Sequence, residues 1–218
     1  MPVLFDLDGT LLDTAPDFAF SLNKLRKQKN ISPLSVEEIR PIISLGSSAL
    51  IRHSFGEDKN SSEHETLLAE FLKLYQENIC QFTQPFPGIM ALLSFLEQNK
   101  IPWGVVTNKP GHLTETLLTQ LSLKQRAACV ISGDTTPYLK PHPASLLYAS
   151  ECLGISPEHC LYIGDAKCDI EAGKAAGMTT LAALFGYISD IEAAKQWGAS
   201  DYVHTVAELH NWVEKWIK

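Results

Sequence analysis

The chain has 218 residues, of which 45% are hydrophobic and 20% charged, and its formal net charge is -7. This composition excludes a disordered chain, and no block of Lys and Arg offsets the acidic balance, which argues against a nucleic-acid partner. The five cysteines form no CxxC pair and no apolar run approaches the roughly 20 residues of a membrane span, so we expect a cytoplasmic protein without a disulfide framework, a zinc site or a membrane partner.

The first predicted element is a short buried strand that runs into VLFDLDGTLLDT, residues 3–14. Asp6 and Asp8 are two positions apart, so their side chains point the same way on an extended strand. Two carboxylates about 4 Å apart repel by roughly 4 kcal/mol at an effective dielectric constant near 20, unless a proton or a cation lies between them. The stretch therefore predicts a metal site whose other ligands lie elsewhere in the chain.

The next segment, residues 14–82, has apolar residues at helical spacing and no convincing strand. Ser35 with Glu38, and Ser62 with Glu65, match the capping box that starts a helix, and Thr14 is an N-cap candidate. Prolines and glycine at 81–88 are typical of a linker. We therefore predict an all-helical domain at 14–82, inserted into a domain formed by 1–13 and 83–218.

The remainder alternates short apolar runs with helical patterns. Strands are predicted within 101–108, 129–134, 160–165 and 179–184, and helices at 88–99, 113–121, 144–153 and 169–176. This alternation predicts an α/β fold, a parallel sheet covered on both faces. Ligands of such sheets collect at the carboxyl ends of the strands. The polar residues expected there are Asp6, Asp8, Thr107, Asn108, Asp134 and Asp165.

Four motifs occur in a fixed order: DLDGT at 6–10, TN at 107–108, a lysine in KPHP at 140–143, and GDAKCD at 164–169. In this order and at these separations they resemble the motifs of the haloacid dehalogenase superfamily of phosphatases, and the match spans nearly the whole chain. That family carries a small helical cap between its first two motifs, where residues 14–82 lie. The resemblance implies a Rossmann-like parallel sheet core with the helical cap inserted after the first strand.

The resemblance also implies roles for the aspartates. Asp6 would be the nucleophile, since a carboxylate can attack phosphorus and split one hard displacement into two easier ones. Asp8 would protonate the leaving alcohol and later take a proton from water. Mg²⁺ would be held by the Asp6 side chain, the Asp8 backbone carbonyl and Asp165, with Asp169 orienting that shell. The alternative is a metal site without catalysis.

Further residues are expected to bind the phosphoryl group. Thr107 and Asn108 would donate hydrogen bonds to it, although they could also cap the following helix. Lys140 would balance the negative charge of the nucleophile and of the phosphoryl oxygens, although taken alone it could be a solvated loop residue. Gly9 and Thr10 form a turn whose backbone amides could approach a phosphate closely.

Two further expectations concern residues outside the four motifs. Arg52, beside a glycine-serine turn of the helical domain, could bind a substrate carboxylate, with Arg40 as the weaker candidate and a surface position as the alternative for both. Trp212 and Trp216 lie four apart on an amphipathic pattern, which indicates packing onto the core.

The predicted function is hydrolysis of a small phosphorylated metabolite by a monomer or weak homodimer. Asp8 favours phosphoryl transfer, because dehalogenases of the superfamily need no leaving-group acid at that position. The tract VVTNKP at 105–110 and KPHP most resemble the phosphoglycolate phosphatase group. N-acetylmuramic acid 6-phosphate phosphatases of cell-wall recycling are the closest alternative. A sugar phosphomutase ranks lower because the cap offers no cationic pair for a second phosphate, and a non-catalytic phosphate-binding regulator also stays open.

Overall fold

The computed structural model describes residues 1–56 and 61–217. The chain divides into two compact units, one formed by Met1–Leu12 with Pro85–Lys218 and the other by Asp13–Gln84. The strands are β1 (Val3–Phe5), β2 (Leu12–Asp13), β3 (Gln84–Pro85), β4 (Trp103–Val106), β5 (Cys129–Ile131), β6 (Leu161–Gly164), β7 (Thr179–Ala183) and β8 (Asp201–Val203). The helices are α1 (Ala15–Gln28), α2 (Val36–Ile43), α3 (Ser47–Phe55), α4 (Ser62–Glu77), α5 (Ile89–Gln98), α6 (Gly111–Gln120), α7 (Ala144–Leu153), α8 (Lys167–Ala175), α9 (Ile191–Ala194) and α10 (Val206–Trp216).

The larger unit is built on a six-stranded sheet with the order β5-β4-β1-β6-β7-β8, and the pairs in it are parallel. The residues of β1, β4 and β6 are buried, as expected for central strands covered on both faces. In the register of the sheet, Phe5 of β1 lies opposite Val105 of β4 and Ile163 of β6. The predicted α/β fold is confirmed, and its first strand ends in the middle of the sheet.

Several elements of this unit differ from the sequence-based expectation, among them the short helix α9, which was not predicted. The edge strand β8 was not predicted, because Asp201 and Tyr202 are exposed and only Val203 is buried, which leaves no apolar run to detect. On α10 the buried face is formed by Val206, Leu209 and Val213. Trp212 and Trp216 are half-buried beside that face, with ring centroids 6.4 Å apart. The expected packing of the tryptophans onto the core is therefore only partial.

The smaller unit is helical through α1, α2, α3 and α4. Its apolar centre includes Phe18, Phe71 and Tyr75, whose rings contact one another with centroid distances of 4.3–6.2 Å. The capping box of Ser35 and Glu38 at the start of α2 is confirmed. The second predicted box is wrong by one residue.

Helix α4 takes Ser61 rather than Ser62 as its N-cap, and the Ser61 side chain accepts a hydrogen bond from the His64 amide. Two serines in succession offer the same cap chemistry, so the sequence alone does not choose between them.

A buried carboxylate fixes the chain where it leaves the helical unit. Asp17 accepts hydrogen bonds from the Phe82 amide at 2.8 Å, the Thr83 amide at 3.3 Å and the Thr83 hydroxyl at 2.5 Å. These bonds satisfy donors that would otherwise be buried without partners, and they tie the start of α1 to the returning chain. The short strands β2 and β3 pair as a separate two-stranded sheet. In the described part of the chain, none of the helices combines the length and apolarity needed to cross a membrane.

Candidate active site

The candidate site lies where β1, β4 and β6 end. Asp6 follows β1 directly, Thr107 follows β4, and Asp165 follows β6. The Asp6 amide donates to the Ile163 carbonyl at 2.8 Å, and the Thr107 amide donates to the Ile131 carbonyl at 2.9 Å, so the sheet bonding extends to these residues. Parallel strands thereby bring side chains from distant parts of the sequence to one edge of the sheet.

Three buried carboxylates meet at this edge. Asp6, Asp165 and Asp169 each offer an oxygen, and these three oxygens lie within 4.8 Å of one another. Within residues 1–56 and 61–217, they form the group that could hold a metal ion. Octahedral Mg²⁺ prefers oxygen ligands at about 2.0–2.1 Å, so ligand oxygens around it lie roughly 3–4 Å apart. Small movements of the side chains would bring the cluster to that spacing.

Lys140 is the cation of this cluster. Its ammonium nitrogen lies 2.8 Å from Asp6 Oδ1 and 2.7 Å from Asp169 Oδ1. It also donates to the Val106 carbonyl at 3.0 Å and to the Tyr162 hydroxyl at 2.8 Å. The Lys140 side chain is only 2% exposed, which excludes the alternative of a solvated loop lysine.

The loop that carries Lys140 is anchored by Asn108. The Asn108 amide nitrogen donates to the Lys140 carbonyl at 3.0 Å, and its oxygen accepts from the Lys140 amide at 2.9 Å. The Asn108 side chain thus positions the lysine, a task that sequence reasoning missed. Neither Thr107 nor Asn108 caps α6, whose N-cap residue is Pro110. A direct bond from Thr107 or Asn108 to a phosphoryl group stays a prediction.

Burial and mutual repulsion dominate the electrostatics of the carboxylates. Burial raises the pKa of Asp6 to about 7, although Lys140 opposes the shift. Burial also raises the pKa of Asp165 well above its usual value, and the nearby Asp6 and Asp169 raise it further. Burial by itself lowers the pKa of Lys140, but Asp169 and Asp6 outweigh it and the pKa is raised, so the amine stays protonated. Three buried carboxylates with one ammonium paired to Asp6 and Asp169 leave an excess of negative charge that suits a divalent cation.

Asp165 is held by two hydrogen bonds. The Thr10 hydroxyl donates to Oδ1 at 2.8 Å, and the Tyr187 amide donates to Oδ2 at 2.8 Å. A methyl group on Gly9 would lie 2.2 Å from Asp165 Oδ2, and one on Gly186 would lie 2.4 Å from Asp165 Cβ. Both glycines therefore make room for this carboxylate.

The structure gives Gly9 and Thr10 a different immediate task from the predicted one. The Gly9 amide donates to the Leu12 carbonyl at 2.9 Å, and the Thr10 amide donates to the Leu7 carbonyl at 3.4 Å. These bonds close the turn after β1, and Gly9 adopts a positive φ of 86° in it. A contact between these amides and a phosphate stays a prediction.

Asp8 has a separate partner. Lys109 Nζ lies 3.0 Å from Asp8 Oδ1 and 3.2 Å from Oδ2. Among the described residues, the group of carboxylates that could hold a metal ion is formed by Asp6, Asp165 and Asp169 without the Asp8 carboxylate. A metal contact of the Asp8 backbone carbonyl stays a prediction. Lys109 follows the TN motif directly in the sequence, but the order and separation of the motifs predicted no role for it.

The two arginines proposed for substrate recognition differ in their surroundings. Arg40 forms a two-pronged ion pair with Asp13, at 3.0 and 3.1 Å, so its guanidinium is already engaged within the helical unit. Arg52 is exposed on α3. The ion pair with Asp13 argues against Arg40 as a ligand of a substrate carboxylate. Binding of such a carboxylate by Arg52 stays a prediction.

Comparisons with known proteins identify the family of the chain. The family model described as haloacid dehalogenase-like hydrolase matches residues 3–183. The chain belongs to this family. A phosphoglycolate phosphatase of Xanthomonas campestris pv. campestris (strain 8004) is 40% identical over 207 residues, covering 95% of this chain and 93% of that protein.

Two other relatives extend the comparison. An N-acetylmuramic acid 6-phosphate phosphatase of Pseudomonas aeruginosa is also 40% identical over 207 residues, covering 95% of this chain and 92% of that protein. The crystal structure of a predicted phosphoglycolate phosphatase from Haemophilus somnus 129pt superposes with a TM-score of 0.85 at 27% identity, covering 97% of each chain. The protein is thus an enzyme of the family, a phosphatase.

Replacing Gly9 tests whether space for Asp165 is needed. In Gly9→Ala the new methyl group meets Asp165 Oδ2, so we expect phosphatase activity on an aryl phosphate to fall about 100-fold, as for a reacting group displaced by about 1 Å. Gly154→Ala is the matched control, because Gly154 also has a positive φ, of 64°, but has nothing within 4 Å of the added methyl group. Both variants should lose about 1 kcal/mol of stability from the backbone alone. Equal activities of the two variants would contradict this assignment of Gly9.

Proposed function

We propose that the protein is a Mg²⁺-dependent phosphomonoester hydrolase that works through a phosphorylated Asp6, with phosphoglycolate as its substrate. The observation that carries the proposal is the meeting of Asp6, Asp165 and Asp169 within 4.8 Å beside the buried Lys140. A carboxylate held next to a cation site and an ammonium is suited to attack a phosphorus atom whose oxygens those positive charges neutralise.

Asp6 is the nucleophile in this scheme. Its Oδ1 is bound to Lys140, which leaves Oδ2 as the oxygen for attack. Burial raises the pKa of Asp6 to about 7 even with Lys140 beside it, so a further positive charge is needed to keep the carboxylate ionised at neutral pH. Lys140 also faces the phosphoryl oxygens that gain charge during transfer.

Asp6, Asp165 and Asp169 are the side chains that would hold or orient Mg²⁺, with the Asp8 backbone carbonyl as a further ligand. When bound, Mg²⁺ would supply charge neutralisation and polarise a phosphoryl oxygen. The donor set consists of hard carboxylate and carbonyl oxygens, which is the chemistry that Mg²⁺ prefers. Thr10 and the Tyr187 amide keep Asp165 in place for this task.

Asp8 is the acid and base of the scheme. It gives a proton to the leaving alcohol in the first step and takes one from the attacking water in the second. Its carboxylate is 17% exposed, whereas the side chains of Lys140 and Asp169 are nearly inaccessible, so Asp8 can meet both substrate and water. Thr107 and Asn108 complete the proposal as donors to the transferring phosphoryl group, together with the turn of Gly9 and Thr10.

Two substrates come into question, because relatives named for each of them are both 40% identical to this chain. Phosphoglycolate is the first choice, on the resemblance of the motif tracts. N-acetylmuramic acid 6-phosphate is the second candidate, favoured by the relative that carries that name. Both compounds carry a carboxylate, for which Arg52 is the proposed ligand.

Asp6→Asn tests the covalent mechanism. We expect the variant to lose at least about 1,000-fold in turnover, because an amide cannot form the acyl phosphate. Wild-type protein quenched in acid during turnover should carry phosphate on Asp6, detected by mass spectrometry, and removal of Mg²⁺ should abolish it. Glu171→Gln, an exposed carboxylate on α8, is the control and should keep wild-type activity. Undiminished hydrolysis by Asp6→Asn would refute the enzyme mechanism.

Substrate choice is tested by specificity constants. We expect kcat/KM for phosphoglycolate to exceed that for N-acetylmuramic acid 6-phosphate, measured by phosphate release with the same preparation. Arg52→Met should lower kcat/KM for either carboxylated substrate more than for an aryl phosphate without a carboxylate. A hundredfold preference for the sugar phosphate would replace the first choice by the second.

A further inference from the structure

Lys109 is a buried lysine that the scheme above does not use. We propose that Lys109 is a positioning residue that holds the Asp8 carboxylate in the orientation for proton transfer to the leaving group. The proposal rests on the proposed function, since it gives Lys109 a task only if Asp8 is the acid.

The contact between the two side chains is close and two-pronged. Lys109 Nζ is 3.0 Å from one Asp8 oxygen and 3.2 Å from the other. The Lys109 side chain is 4% exposed and that of Asp8 is 17% exposed. An ammonium removed from water needs a charged or strongly polar partner, so the pair constrains both side chains. Because both oxygens face the same nitrogen, rotation of the carboxyl group is restricted.

The backbone of Lys109 is itself fixed at both ends. Its amide donates to the Thr107 hydroxyl at 3.2 Å, and its carbonyl accepts from the Gly133 amide at 2.9 Å. The Thr114 hydroxyl also donates to this carbonyl at 3.3 Å. These bonds attach Lys109 to the ends of β4 and β5 and to α6. The backbone that carries the ammonium to Asp8 is therefore held by hydrogen bonds to three elements of the larger unit.

Lys109 and Lys140 form ion pairs with different aspartates. Lys140 contacts Asp6 and Asp169, whereas Lys109 contacts Asp8. The two lysines thus pair with different aspartates of the site. A lysine that only offset the charge of the nucleophile would be expected beside Asp6.

The step that Lys109 serves is the first phosphoryl transfer. The Asp6 oxygen forms a bond to phosphorus while the bond between phosphorus and the ester oxygen breaks. The proton of the Asp8 carboxyl group moves to that ester oxygen, which leaves as an alcohol, and the Asp8 carboxylate remains beside Lys109. An alcohol of high pKa needs this proton, whereas an activated phenol leaves without it.

Comparing substrates with different leaving groups therefore distinguishes a Lys109 that positions Asp8 from a Lys109 that acts in another way. We expect Lys109→Met to lower kcat/KM about 10- to 100-fold for an alkyl phosphate such as phosphoglycolate, and less than about threefold for 2,4-dinitrophenyl phosphate. The constant kcat/KM reports steps up to formation of the phosphorylated enzyme, so the second step does not enter. Equal losses on the two substrates, as expected for a lysine that binds the phosphate directly, would overturn the proposal.

A double-mutant cycle gives a second test, because a general folding defect would lower activity in both backgrounds. In an Asp8→Asn background, which removes the charge that Lys109 faces, adding Lys109→Met should change kcat/KM for phosphoglycolate by less than about twofold, against the loss of about 10- to 100-fold in the wild-type background. A further tenfold loss would show that Lys109 acts independently of Asp8 and would overturn the proposal. Lys124→Met, at an exposed lysine paired with Glu115, is the control and should match wild type on both substrates.

These variants also keep the two proposals apart. If Asp6→Asn retained activity, the proposed function would fail whatever Lys109 did. If Asp6→Asn were inactive but Lys109→Met lost activity equally on both substrates, the proposed function would stand and the role of Lys109 would fall.

Discussion

Three carboxylates are buried together at the carboxyl edge of one sheet, where the Lys140 ammonium pairs with Asp6 and Asp169, and the excess of negative charge organises the site. Burial raises the pKa of Asp6 to about 7 and that of Asp165 well above its usual value, because water no longer stabilises their charges. Lys140 lowers the pKa of Asp6, but this effect is smaller than that of burial. A divalent cation among Asp6, Asp165 and Asp169 would complete the neutralisation, and the same charges would favour a phosphoryl group at Asp6.

The fold holds these carboxylates in place through groups that take no part in the proposed reaction. Gly9 and Gly186 leave space for Asp165, and the Thr10 hydroxyl and Tyr187 amide hold its two oxygens. Such surrounding contacts fix the geometry of reactive groups, which is why displacements of about 1 Å are costly. A site of this kind combines side chains from distant motifs with backbone groups that no motif contains.

The sequence is informative wherever a pattern has a direct structural meaning. Parallel strands end at one edge, so the meeting of Asp6 and Asp165 follows from the alternation of strands and helices. The contacts of Tyr162 and Lys109 do not follow, because each depends on which way a side chain points from a buried strand or a tight loop. The sequence also gives no role to Gly186. A glycine is required there only because Asp165 packs against it in the fold. Strand β8 was missed because two of its three residues are exposed.

The most direct test of the account is calorimetric titration of the wild-type enzyme with Mg²⁺ near pH 7 in two buffers of different ionisation enthalpy. A cation that displaces protons from Asp6 and Asp165 should bind with release of protons, and its affinity should rise as the pH increases through about 7, the pKa of Asp6. Asp165→Asn should weaken binding at least about tenfold, while Glu171→Gln should not. Absence of Mg²⁺ binding, or equal affinity in Asp165→Asn and wild type, would contradict the account.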